Sequence, residues 1–119
     1  MRYSKFRVAL TAFAVSVVFG HGAALAASAE KGKAAFTKFG CWQCHGFQGQ
    51  GSVATSNGKV LAPDPMPWDT FSAFVRTSNT NMPPFTAKVV SDEDLADIYA
   101  YLQSIPKAAD PKTIPLLNP

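Results

Sequence analysis

Only two cysteines occur among the 119 residues, at positions 41 and 44. A pair that close cannot staple distant parts of a chain, which excludes a disulfide scaffold. With only two histidines, His21 and His45, a four-cysteine zinc site is excluded as well. Acidic residues are missing before Glu30, whereas Arg2, Lys5 and Arg7 crowd the N-terminus. Those three account for the whole net charge of +3, since the remaining eight basic residues face eight acids. A folded region so balanced lacks the clustered cations of a nucleic-acid surface. Alternating apolar and polar residues over five or more positions are absent too, so half-buried strands are not expected. No internal repeat is visible, and the length suits one small domain.

The N-terminus reads as an export signal. Three cations precede an uncharged, mostly apolar run from Val8 to Phe19, and Ala24-Leu25-Ala26 fits the small-x-small cleavage pattern. Cleavage is expected after Ala26, with a cut after Ala29 as the alternative. The competing reading is a retained membrane anchor, because residues 8–27 are long enough to span. His21 and two glycines break the second half of that stretch and favour cleavage. The expected location is therefore the periplasm, membrane-anchored only if the leader stays, with no span in the mature form. The expected organisation is a signal peptide over residues 1–26, a domain over 27–106 and a proline-rich tail over 107–119. A mature chain of residues 27–119 buries a thin core and calls for a staple other than a disulfide.

Three helices are expected. The first runs from about Ser28, as N-cap, to Phe39. Gly32 lies one turn before Phe36 on the same face, and Gly40 can end the helix. The second, about Asp69 to Arg76, has Asp69 as cap and Phe71, Phe74 and Val75 on one face. In the third, Ser91 caps, and Asp92, Glu93 and Asp94 put negative charge in the first turn. Leu95, Ile98, Tyr99 and Leu102 form an apolar stripe, and Pro106 follows the end. The acids from Asp92 to Asp97 read as a helix-start feature rather than a ligand cluster. The expected fold is all-α with long connecting loops. Such loops are uncommon in a small domain unless something packs inside them. The tail is expected to be extended, with Ile114, Leu116 and Leu117 on the surface.

Cys41-Trp42-Gln43-Cys44-His45 carries the chemistry. C-x-x-C-H is the attachment pattern of a c-type haem. Two intervening residues match the spacing of the two vinyl groups that the thiols capture, and the adjacent histidine reaches the iron. Gly46, Gly49 and Gly51 follow, in a loop able to pass close to a flat cofactor. A thioredoxin-like dithiol needs strands this chain lacks, and a zinc site lacks a fourth soft ligand. The expected cofactor is one covalent haem c.

Once His21 leaves with the leader, His45 is the only histidine, so two histidines from one chain cannot both ligate the iron. Met66 and Met82 are the candidate sixth ligands. Met82 is favoured: it lies 37 positions after His45, far enough to reach the opposite haem face, and Pro83-Pro84 stiffen its loop. Met66 is expected in the core or at the haem edge. Arg76 suits a haem propionate or, alternatively, a solvated helix C-terminus. Trp42 is expected partly exposed at the haem edge, and Trp68 in the core.

These residues resemble the small class I bacterial c-type cytochromes, which are monohaem and His/Met ligated. The resemblance spans Ala29 to about Ile105. It rests on Gly32 and Phe36, on Cys41-x-x-Cys44-His45, on Met82-Pro83-Pro84-Phe85, and on Leu95-Ala-Asp-Ile-Tyr-Ala-Tyr-Leu102. It implies three main helices wrapped round one covalent haem, with Gly32 and Phe36 meeting Ile98, Tyr99 or Leu102. It also supports Met82 as axial ligand, and it implies that the carbonyl of Pro63 accepts the Nδ1–H of His45. Asn79 departs from the glycine many relatives place before the methionine loop; asparagine tolerates the same backbone.

The role so implied is that of a one-electron carrier, not an enzyme, and no catalytic residues are assigned. Its expected partners are an exported dehydrogenase as donor and an oxidase or another cytochrome as acceptor; nucleic acid is not among them. The alternative is a gas-binding or catalytic haem protein with a labile sixth ligand. That reading is poorly supplied, because no distal histidine or spare acid–base pair lies near the motif.

Overall fold

A computed structural model describes residues 26–52 and 58–118. The expected leader, up to residue 25, lies outside the described residues. Four α-helices follow one another: α1 (Ala29–Lys38), α2 (Trp42–His45), α3 (Trp68–Thr77) and α4 (Asp92–Ser104). Single 3₁₀ turns at Pro111–Thr113 and Pro115–Leu117 close the chain. The only β feature among the described residues is an isolated bridge between Ser52 and Gly58. None of the described helices is long and apolar enough to cross a membrane.

Helix α1 begins as its sequence dictates: the Ser28 hydroxyl accepts the Lys31 N–H at 3.3 Å. It ends where Gly40 takes a left-handed φ of 76°, which lets the Cys41 N–H return to the Phe36 carbonyl at 3.1 Å. Helix α4 is capped by Ser91, whose hydroxyl accepts the Asp94 N–H at 3.0 Å and donates to the Asp94 carboxylate at 2.8 Å.

The main helix–helix contact is α1 against α4. Gly32 sits at the crossing, where a Cβ would overlap the carbonyl of Asp97 and lie 2.8 Å from the Cβ of Tyr101. Phe36 packs one turn further on, its ring 5.7 Å from that of Tyr101. The atoms nearest Gly32 thus come from Asp97 and Tyr101, four residues apart on one ridge, rather than from the expected Ile98, Tyr99 or Leu102. Asp97 is not a helix-start acid. It is buried, and its carboxylate accepts the Ser28 N–H at 2.6 Å, facing the positive end of α1. Ile98 and Leu102 remain in the core beside Leu95, Phe71, Val75 and Val90.

Helix α3 starts one residue earlier than expected. Pro67 occupies the cap position without a side-chain bond, and Asp69 lies inside the first turn. Phe71 and Val75 are buried, but Phe74 is 41 % exposed. Trp68, expected in the core, is 38 % exposed and packs edge-on to Tyr99 at 5.3 Å. In the tail Leu116 and Leu117 are exposed, as expected, on 3₁₀ turns rather than an extended strand.

Candidate haem site

The turn at Gly40 delivers Cys41 to the start of α2, where it occupies the cap position, and Cys44 and His45 end the same single turn. Cys41 and Cys44, three apart, therefore stand on one side of it. Cys41 is half-buried, and that burial pushes its thiol up to about 11; Cys44 is exposed. Gly46, with φ of 74°, turns the chain immediately after His45.

The following loop folds back on α2. The Gly51 N–H donates to the His45 carbonyl at 2.8 Å, and the Leu61 and Ala62 N–H groups both donate to the Gly49 carbonyl. Tyr101 of α4 anchors the loop by donating its hydroxyl to the Phe47 carbonyl at 2.8 Å. Gly58 runs so close to α2 that a Cβ would overlap the Cys44 carbonyl. This approach sets the next carbonyl, that of Lys59, 2.8 Å from His45 Nδ1. A carbonyl only accepts, so Nδ1 carries the proton and the neutral ring keeps its lone pair on Nε2, the form that binds a metal.

The acceptor is therefore Lys59, and the expectation for Pro63 is corrected. Pro63 instead lines a cavity of about 320 Å³ with Gln48, Val60 and Ile105. No side-chain signal marks a backbone carbonyl; Gly58 was the only residue that could have flagged it.

Met82 is half-buried and packs against the core, together with Trp42, Leu61 and Phe85. Its N–H donates to the Thr80 hydroxyl at 3.3 Å. Met66, expected in the core or at the haem edge, is 41 % exposed, and its carbonyl accepts the Tyr99 hydroxyl. Trp42, as expected, is partly exposed, and it stacks on Phe47 with ring centroids 4.6 Å apart.

Arg76 is bonded within the protein. Its Nη1 donates to the carbonyls of Phe85 (2.8 Å) and Val90 (2.7 Å), and its Nη2 to the Asp92 carboxylate (2.6 Å). The guanidinium is committed to the loop before α4. It is not a solvated helix end, because Phe85, Val90 and Asp92 come close enough to share its planar fork.

Residues 27–102 match the sequence model of the family described as cytochrome c oxidase, cbb3-type, subunit III. The chain belongs to this family and is a c-type cytochrome. No curated protein and no solved structure matched it. The all-α architecture is that of a cytochrome c fold, and the domain is one for haem-based electron transfer.

The cytochrome's own residues fit haem c. Two thiols three apart suit the two vinyl groups, and an imidazole with Nδ1 already bonded offers Nε2. Trp42, Leu61, Met82 and Phe85 are apolar and only partly buried against the core, which suits residues that would pack on a flat apolar macrocycle. No group of three or more His, Cys, Asp or Glu able to hold a bare metal ion occurs among the described residues.

Proposed function

We propose that this cytochrome is a periplasmic one-electron carrier holding a single covalent haem between His45 and Met82. When bound, that group supplies an iron cycling between Fe(III) and Fe(II). The chain does the rest. Cys41 and Cys44 each add S–H across one vinyl double bond, His45 presents Nε2 from a ring fixed at Lys59, and Met82 presents a thioether from the core's edge. The observation that carries the reading is the contrast between the methionines: Met82 is packed against the core in a braced loop, whereas Met66 is exposed. His45 and Met82 would hold the group so that no position is left for a substrate, and partly exposed Trp42 with exposed Phe47 would border the surface where a redox partner docks. The donor proposed is an exported dehydrogenase, and the acceptor a component of the respiratory chain.

Export follows from the leader. Asp97 supports cleavage after Ala26 rather than Ala29, because the later cut would remove Ser28. Helix α1 would lose its cap, and a buried carboxylate would lose its N–H partner. The intact mass should equal residues 27–119 plus one haem; a product that retains Arg2 overturns the processing.

The axial pair is tested by optical spectroscopy of the oxidised protein. The weak sulfur-to-iron band at the red end of the visible spectrum should be present and vanish in Met82→Ala, with a fall in reduction potential. Met66→Leu should change neither. The reverse pattern would sink the assignment.

A further inference from the structure

We propose that Arg76 is a positioning residue for the axial thioether, setting how tightly Met82 holds the sixth coordination site. This rests on the reading of Met82 as ligand. The Arg76 side chain is only 19 % exposed, and its partners are two loop carbonyls and one carboxylate. A charge so covered is retained where hydrogen bonds hold it, and its place in the last turn of α3 suits a cation.

The loop carrying Met82 is fixed to that end of α3 on both sides. Behind Met82, the Phe85 N–H donates to the Val75 carbonyl at 2.8 Å, while the Phe85 carbonyl accepts from Arg76. Consecutive helix residues therefore hold both backbone groups of Phe85. Between Phe85 and Met82 stand only Pro83 and Pro84, whose φ angles are locked, so the clamp is transmitted to the methionine with little slack. Ahead of Met82, its own N–H rests on Thr80, whose hydroxyl lies 3.1 Å from that of buried Ser78, the residue ending α3. The thioether is thus held in place before it binds, and ligation costs little ordering of the loop.

Releasing the clamp frees the loop and makes Met82 easier to displace. The probe is imidazole, titrated into the oxidised, haem-loaded protein and followed by loss of the sulfur-to-iron band. Arg76→Gln should bind imidazole at least about tenfold more tightly than the unaltered protein, as expected for losing charge-assisted hydrogen bonds. Arg76→Lys keeps the charge but not the planar fork and should fall between the two. Thr80→Val, which loosens the other side, should shift affinity in the same direction; it and Arg76→Lys carry the test if Arg76→Gln takes up no haem.

Asp97→Leu serves as the control for general destabilisation, since Asp97 bonds the Ser28 N–H at the α1–α4 crossing and takes part in none of the clamp's hydrogen bonds; its imidazole affinity should stay within about twofold of the unaltered protein. Arg76 variants that match the unaltered protein, or an Asp97→Leu variant that shifts as much as they do, overturn the proposal. If Met82→Ala leaves the band intact, it is the ligand assignment that has failed. If Met82→Ala abolishes the band while the Arg76 variants bind imidazole normally, the positioning role alone has failed.

Discussion

Helices α1 and α4 on one hand, and the segments around Met66 to Val90 on the other, are built differently. The α1–α4 pair is finished by the protein itself: glycine at the crossing, Phe36 on Tyr101, Asp97 against Ser28, and Leu102 fully buried. The second region leaves Met66, Trp68 and Phe74 exposed and keeps Met82 and Phe85 half-buried. It sends Phe71, Val75 and Val90 into the core, and its loop is tied by hydrogen bonds to the end of α3. The difference marks where the proposed cofactor would replace missing core. A chain this small buries too little to close both regions with side chains alone.

The largest effect should come from denying the second region its cofactor. A Cys41→Ala, Cys44→Ala double variant produced without haem should lose its sharp unfolding transition, while keeping part of its helical circular dichroism from α1 and α4. Retention of a sharp transition would show that the two regions do not differ as described. Next comes a blow to the first region. Gly32→Val should cost about 3 kcal/mol or more, because a side chain there meets backbone that cannot move aside. Denaturant unfolding of the loaded protein measures it.

A smaller loss should follow Asp97→Leu, about 2 kcal/mol, by leaving the Ser28 N–H without its acceptor. Asp97→Asn keeps an acceptor and should cost less. Neither should alter the reduction potential, since the change stays in the first region; a marked shift in potential would merge the two.

The smallest effect concerns pH. In the haem-free chain, folded Cys41 keeps its proton up to about 11, against 9.0 for the unperturbed thiol. Its contribution to stability is therefore fully present below pH 9 and is lost as pH rises towards 11. Residual helicity should decline over that window more in the haem-free chain than in its Cys41→Ala variant. In the loaded protein the sulfur is a thioether and the effect should vanish.

The same division governs what could be read from the sequence. Helices α1 and α4 were legible because their caps and apolar spacing are local: Ser28 and Ser91 sit where expected. The Cys41–His45 motif pointed to a c-type cytochrome because C-x-x-C-H is a contiguous pattern that needs no knowledge of the fold. Asp97 was misplaced because an acid near a helix start has a sufficient local explanation, and its partner is 69 residues away. Lys59 was invisible because its role lies in a backbone carbonyl placed by a glycine contact. The loop contacts of Arg76 were hidden for a related reason: its partners include two carbonyls whose positions depend on the fold of the following loop. Trp68 and Met66 look like core residues by type, and only the three-dimensional arrangement shows the protein leaving them exposed.

Carbon monoxide binding to the reduced, haem-loaded protein at neutral pH tests most directly the claim that His45 and Met82 fill both axial positions. Carbon monoxide binds ferrous haem only where a coordination site is open or easily vacated. The absorption spectrum of the reduced protein should remain unchanged under a carbon monoxide atmosphere. Prompt, stoichiometric formation of a carbon monoxide complex would contradict a closed, six-coordinate electron carrier and make this a gas-binding or catalytic haem protein.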